Sequence, residues 1–224
     1  MSESLPDPRD TDGIRASSIW PTFAFMAAVL VAVSLYTSER VLTPQVLANL
    51  ARRAGGIPIS EDQMDEFQWV GRLAYGLLPV FLATRVAVTA LVLQMFTMLL
   101  AAEIPYRDLF RASLWGFSAV IYGMFIRALR LDLLGGDLTI ADLGVVPDSL
   151  AALIMNPAST VTTAYSAMSF LSIHSLLWIA IIFAYLRFES GITPRHALLV
   201  ALASWTTISL TQLGLQAFAA QILG

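Results

Sequence analysis

The chain has no cysteine and no lysine, and charge of either sign is scarce. Without cysteine there is no disulfide, no thiolate metal site and no S-acyl anchor. All 13 basic residues are arginine. They are scattered rather than patched, as a biased coding composition would leave them. With a net charge of −3 and no basic cluster, nucleic acid is not an expected partner. Charged residues make up 13 % of the chain, against roughly 25 % in ordinary soluble domains. Histidine is limited to His174 and His196.

What is present is apolar. Hydrophobic residues are 57 % of the 224, and the mean hydropathy is +0.72. Lipid as solvent accounts for this composition, because each charge in a bilayer core costs several kcal/mol. The central apolar runs are residues 86–102 and 112–126, separated by a short charged break, Glu103 to Arg111. The first run is roughly 25 Å long as a helix, close to the hydrocarbon thickness. Arg111 and Arg127 flank the second, where long stems reach the headgroups. So short a break makes the two helices antiparallel neighbours, a transmembrane hairpin.

Residues 1–18 are polar, hold two prolines and four acids, and are expected to be a disordered tail. The next run, 19–36, has Trp20 and Tyr36 at its ends, where aromatic belts sit. Its flank is acidic and no small-x-small cleavage site follows, so a first span is expected rather than a signal peptide. Thr43 and Pro44 then begin an amphipathic helix with Val46, Leu47, Leu50 and Ala54 on one face, ended by Gly55-Gly56. Ser60-Glu61-Asp62-Gln63 forms a capping box. An unbroken helix from there to Ala102 would be roughly 63 Å long, twice a bilayer, so a kink or break is expected near Pro79. After the hairpin, glycines and Asn156-Pro157 punctuate a long connection with one short helix between Pro147 and Asn156, its face made by Leu150, Leu153 and Ile154. Two further spans close the chain.

The fold class expected is all-α: a polytopic transmembrane helix bundle of about five spans with amphipathic interfacial helices. The spans fall at about 19–36, 80–102, 110–128, 168–187 and 197–218. Five spans place the termini on opposite faces, and the arginines of the tail and short turns favour a cytoplasmic N-terminus in the inner membrane.

Four residues are candidate functional positions. His174 is the one histidine inside a span, and an ionisable group there marks a site by default. Its simplest role is a neutral ring bonded between helices, to a hydroxyl or amide of the last span. His196 lies at the opposite headgroup layer, so the two histidines cannot clamp one haem. Ser118, within Gly116-Phe117-Ser118-Ala119, and His174 together suggest the dyad of an intramembrane serine protease. The match is poor: no small-residue ladder follows His174, and a packing notch explains Gly116 and Ser118 as well. Arg85 and Gln212, with Gln94 and Gln216, are placed to line a polar path. Arg85 is expected near an interface, with its stem snorkelling. Ser204, Thr207 and Thr211 add a polar stripe that must face protein.

The order of parts resembles the bacterial form of the YIP (Ypt-interacting protein) family. The residues that carry the likeness are Pro105-Tyr106-Arg107-Asp108-Leu109-Phe110, Pro147 through Leu153, Ser172 through Trp178, and Gly191-Ile192-Thr193-Pro194-Arg195-His196-Ala197-Leu198. The likeness covers about residues 19–215 of a YIP-like transmembrane domain at 19–224. Where the family often has a glycine pair, this chain has Ala101-Ala102. The Asp-Leu-Tyr-Gly-Pro motif of eukaryotic members is absent from the tail, so their traffic role is not carried over. The resemblance implies a membrane protein without an assigned reaction. The function expected is a non-catalytic scaffold, assembly factor or accessory subunit, not an enzyme and without cofactor or metal. Its partners are the lipid bilayer and other membrane proteins or a second copy. A small-solute permease is the alternative, and the serine protease a remote one.

Overall fold

The first apolar run forms α1 (Ile19–Tyr36) in a computed structural model that describes residues 19–53, 61–135, 138–155 and 163–223. The tail, Gly55-Gly56, Ser60 and Asn156-Pro157 lie outside the described residues. A π-helical turn, Thr37–Val41, leads to α2 (Pro44–Arg53), and then come α3 (Glu61–Leu99) and α4 (Tyr106–Leu134). Short helices α5 (Ile140–Gly144), α6 (Leu150–Ile154) and α7 (Thr163–Ser169) occupy the long connection. The chain closes with α8 (Ile173–Phe188) and α9 (Pro194–Leu223). No strand occurs among the described residues, only one isolated bridge between Ser149 and Ser172. The fold is an all-α bundle.

Among the described residues, four helices are long and apolar enough to cross a membrane: Ile19–Val41, Leu73–Leu99, Tyr106–Leu134 and Pro194–Ala219. A fifth apolar helix, Ile173–Phe188, is shorter. The protein is a helical membrane protein. Its outward surface carries Phe25, Leu77, Val80, Leu91, Met98 and Leu210, the apolar face that lipid tails solvate.

Against the expected break, α3 runs unbroken through Pro79 for 39 residues, roughly 58 Å. Its length is accommodated by protrusion: the apolar part starts only at Leu73, and the polar first turns extend beyond it. The helix expected from Met168, in contrast, is interrupted. α7 stops at Ser169 and α8 starts at Ile173, because Ser172 caps α8 by accepting from Ser175 N–H. The bridge to Ser149 holds the interruption, with Leu150 N–H to Leu171 O at 2.8 Å and Ile173 N–H to Asp148 O at 3.0 Å.

Three apolar clusters order the bundle. The first joins α3, α4, α8 and α9 through Ala90, Leu93, Leu109, Ala112, Ile182, Leu186, Ala197 and Val200. The second sets Met26, Leu30 and Val33 of α1 against Leu82, Val86, Leu114 and Phe117. The third seats Leu50 of α2 on Leu131 and Leu138, so α2 packs on the bundle, with Leu47 turned outward. Tyr36 O–H donates to Asp132 Oδ2 at 2.6 Å, fastening the end of α1 to the end of α4. This end, with the long connection, is the loop face; the turns at 100–105 and 189–193 mark the turn face.

Glycines on α4 set how closely α8 approaches. A Cβ on Gly116 would lie 3.0 Å from Trp178 Nε1 and Ile182 Cδ1, and one on Gly123 would lie 2.9 Å from His174 Cγ. The Arg111 side chain is 13 % exposed and faces Asp108 at 3.6 Å. In the connection, Thr139 and Asp142 form a capping box, and Arg130 donates to Asp142 Oδ1 at 2.9 Å. α6 turns Ala151 inward and leaves Leu153 and Ile154 of its apolar face exposed.

α3 ends in a Schellman motif, with Ala102 N–H to Thr97 O and Ala101 N–H to Met98 O, and Ala101 sits at φ 53°. A left-handed alanine costs about 1 kcal/mol, so Ala101→Gly should raise stability by that amount in detergent melts. An unchanged or lowered midpoint would contradict it. Hydrogen bonds from the Thr139 hydroxyl and backbone, with Arg130, hold the Asp142 carboxyl below the ordinary aspartate range. Its contribution is present above the unfolded-state value and is lost as pH falls through the lower folded one. Amide exchange across α5 should therefore accelerate only below the ordinary aspartate range, and Asp142→Asn should remove that acid transition.

Candidate functional site

An arginine inside a span must face protein or water, since at a bilayer centre it costs about 3 kcal/mol even on the mildest scale. Arg85 lies twelve residues from one end of Leu73–Leu99 and fourteen from the other. It is therefore near the middle of that apolar helix. It faces inward, with its guanidinium carbon 5.5 Å from the Phe117 ring centroid, a cation–π contact.

Arg85 opens onto a cavity of about 220 Å3 between α3, α4, α8 and α9. α3 adds Val86 and Thr89, and α4 adds Ser113, Phe117 and Val120. α8 supplies His174, Ser175 and Trp178; α9 supplies Trp205, Ile208, Ser209, Gln212 and Gln216. Val146, Ser169 and Phe170 of the long connection complete the wall. Arg85, His174 and Gln212, distant in sequence, are thus brought to one space. Ser118 is not among them: its hydroxyl turns back to the Trp115 carbonyl at 2.6 Å. The dyad of Ser118 with His174 is not assembled.

The apolar cluster closes one end of the cavity. On α3 the cavity residues are 85–89 and the tightly packed ones 90–93; on α8 they are 174–178 and 182–186. On α9 the order is inverted, with packing at 197–201 and cavity from 205 onward. All three place the apolar plug toward the turn face. The exposed Gln216 lies toward the loop face. On α9 the cavity stripe is Trp205, Ser209, Gln212 and Gln216, not Ser204, Thr207 and Thr211. Ser204 is buried in the plug region with no partner for its hydroxyl among the described residues, and Thr211 bonds back to the Thr207 carbonyl.

His174 is held from behind. Asp148 Oδ2 accepts from the His174 backbone N–H at 3.0 Å and lies 2.9 Å from Nδ1. A carboxylate only accepts, so the hydrogen is assigned to Nδ1. Nε2 lies 3.2 Å from Ser172 Oγ. The partner of His174 is thus a loop carboxylate, not a group on the last span. Asp148 sits at the N-terminus of α8, where unpaired N–H groups favour negative charge. Its side chain is 5 % exposed, and Oδ1 has no partner among the described residues.

Serine, histidine and carboxylate in a row repeat the connectivity of a nucleophilic triad. Ser172, however, is 2 % exposed, and its oxygen is occupied in capping α8 and bonding Ser175. The row works as a clasp between the connection and α8. Sequence reasoning missed Asp148, one of four acids in a long loop and 26 residues from its partner. The faint signals were Asp148-Ser149 before a short helix and Ser172 three residues before Ser175. Among the described residues, no three His, Asp or Glu side chains gather to hold a metal.

Because Nδ1 makes the bond to Asp148, asparagine is the better mimic than glutamine. His174→Asn should retain most stability, whereas His174→Leu, leaving a buried carboxylate without its side-chain donor, should lose about 3 kcal/mol in detergent melts. Equal losses in the two variants would show that the Nδ1 bond is not structural. Gly123→Ala should cost about 1–3 kcal/mol by forcing the ring off α4.

Comparison of the chain with protein-family models, curated proteins and solved structures found no match.

Proposed function

We propose that this chain is a five-span protein of the cytoplasmic membrane that receives a small polar solute in the cavity between α3, α4, α8 and α9, as a permease does. The observation that carries the reading is the convergence of Arg85, His174 and Gln212 on one space, plugged at the turn face. Polar groups are costly inside a bundle, and packing alone does not call for them around a void. The interrupted helix α7–α8 at the cavity wall supports the same reading, since transporters place solutes where membrane helices are broken.

A scaffold or assembly factor of YIP type is compatible with the order of parts, but it gives the cavity no role. With the N-terminus in the cytoplasm, α1 starts at the cytoplasmic turn face, and the unplugged end of the cavity faces the opposite side. The two readings separate in one labelling experiment, simplified by the absence of native cysteine. Ser209→Cys and Gln212→Cys should react with a charged, membrane-impermeant thiol reagent from the non-cytoplasmic side of proteoliposomes. Val200→Cys, in the plug, should stay unreactive. Unreactive cysteines at both cavity positions, from either side, would mean a sealed void and would return the chain to the scaffold reading.

A further inference from the structure

Arg85 stands apart from the arginines that have partners. Arg130 is paired with Asp142 at 2.9 Å, Arg111 faces Asp108 at 3.6 Å, and Arg187 donates to the Ile192 carbonyl at 3.2 Å. Arg85 makes neither hydrogen bond nor ion pair among the described residues; its recorded contact is the face of Phe117. Asp148 is buried behind His174 and bonded to it, while Asp132 and Asp142 are taken by Tyr36 and Arg130. A fixed positive charge within an apolar helix, facing a cavity and lacking a counter-ion among the described residues, is an anion site.

The rest of the wall narrows the ligand. Gln212 and Gln216 lie one helical turn apart on α9 and offer neutral amides to the same space as the guanidinium. Trp178, Trp205 and Ile208 give it apolar walls. From this we infer that the cavity binds an oxyanion carried on an apolar body, its carboxylate or phosphate on Arg85 and its body against the two indoles. The inference rests on the reading that the cavity admits a solute, and it names that solute's chemical class. The same chemistry has two sources: a free organic acid entering from the aqueous side, or the head of an anionic phospholipid.

Trp178 and Trp205 make the site visible by fluorescence. The full-length protein in phosphatidylcholine nanodiscs is titrated with benzoate and, separately, with benzyl alcohol, which has the ring without the charge. Phosphatidylglycerol nanodiscs provide the second arm. Benzoate should change the tryptophan emission saturably and benzyl alcohol should not. Arg85→Gln should weaken benzoate by on the order of 30-fold, while Arg85→Lys, which keeps the charge, should recover part of the affinity. Benzoate binding that is equal in both nanodiscs identifies a free acid as the source. Binding that phosphatidylglycerol suppresses in the wild type but not in Arg85→Gln identifies the lipid head.

Equal binding of benzoate and benzyl alcohol would overturn the inference. So would unchanged binding in Arg85→Gln, or the absence of any anion effect in both nanodiscs. Size-exclusion profiles and helicity of the variants control for folding. Thiol labelling at Gln212→Cys separates the failures: a reactive cavity with no preference for anions keeps the permease reading and removes only the anion.

Discussion

Backbone that leaves a helix at membrane depth must find its hydrogen bonds within protein, because lipid offers none. In this chain that constraint falls on residues 170–172. α8 has 16 residues, roughly 24 Å, less than the hydrocarbon thickness. The irregular segment before it is satisfied by the connection: Asp148 and Leu150 bond the backbone on either side of Ser172, and the Asp148 carboxylate accepts from the His174 N–H in the first turn of α8. Release that clasp and both the start of α8 and the wall carrying Ser169, Phe170 and His174 lose their support. The cavity therefore depends on a loop that, by composition alone, reads as a spacer.

Close packing and open space share residues. Trp178 belongs to the apolar plug and also lines the cavity. It lies against Gly116 on one side, so the spacing of α4 and α8 is set where a side chain is missing. Phe117 likewise belongs to the cluster with α1 and supports the guanidinium of Arg85. Substitutions in the plug will thus register in the cavity without touching it.

The helices were legible in the sequence because their signals are local. The apolar run at 19–36 matches α1, Thr43-Pro44 begins α2, and hydropathy marks the long apolar helices. Arg85, His174 and Gln212 were each legible as costly polar groups in apolar runs. Their meeting was not, since it depends on how three helices rotate about their axes. Two misreadings have one origin. Pro79 looks like a breaker and is absorbed by a helix that extends past the bilayer, whereas Ser172, an unremarkable serine, starts α8 because a loop 23 residues earlier in sequence holds it. Propensity is local; whether a helix stops is decided by what is available to bond its ends. The capping box at Thr139 and Asp142 was within reach of sequence and was overlooked among the breakers around it.

Pro79 has a consequence for how the protein sits in membranes of different thickness. Without an amide hydrogen, it leaves the Tyr75 carbonyl short of its helical partner and makes one soft joint in a long rod. Beyond the joint, Leu82, Val86, Ala90 and Leu93 are fully packed, so that half of α3 is fixed to the bundle. Before it, Leu73 and Leu77 face outward, and a Cβ on Gly71 or Gly76 would meet nothing within 4 Å. A change in bilayer thickness is taken up by pivoting the outer half, at a cost of fractions of a kcal/mol per Å. The depth of Arg85 is then set by the bundle rather than by the lipid around it.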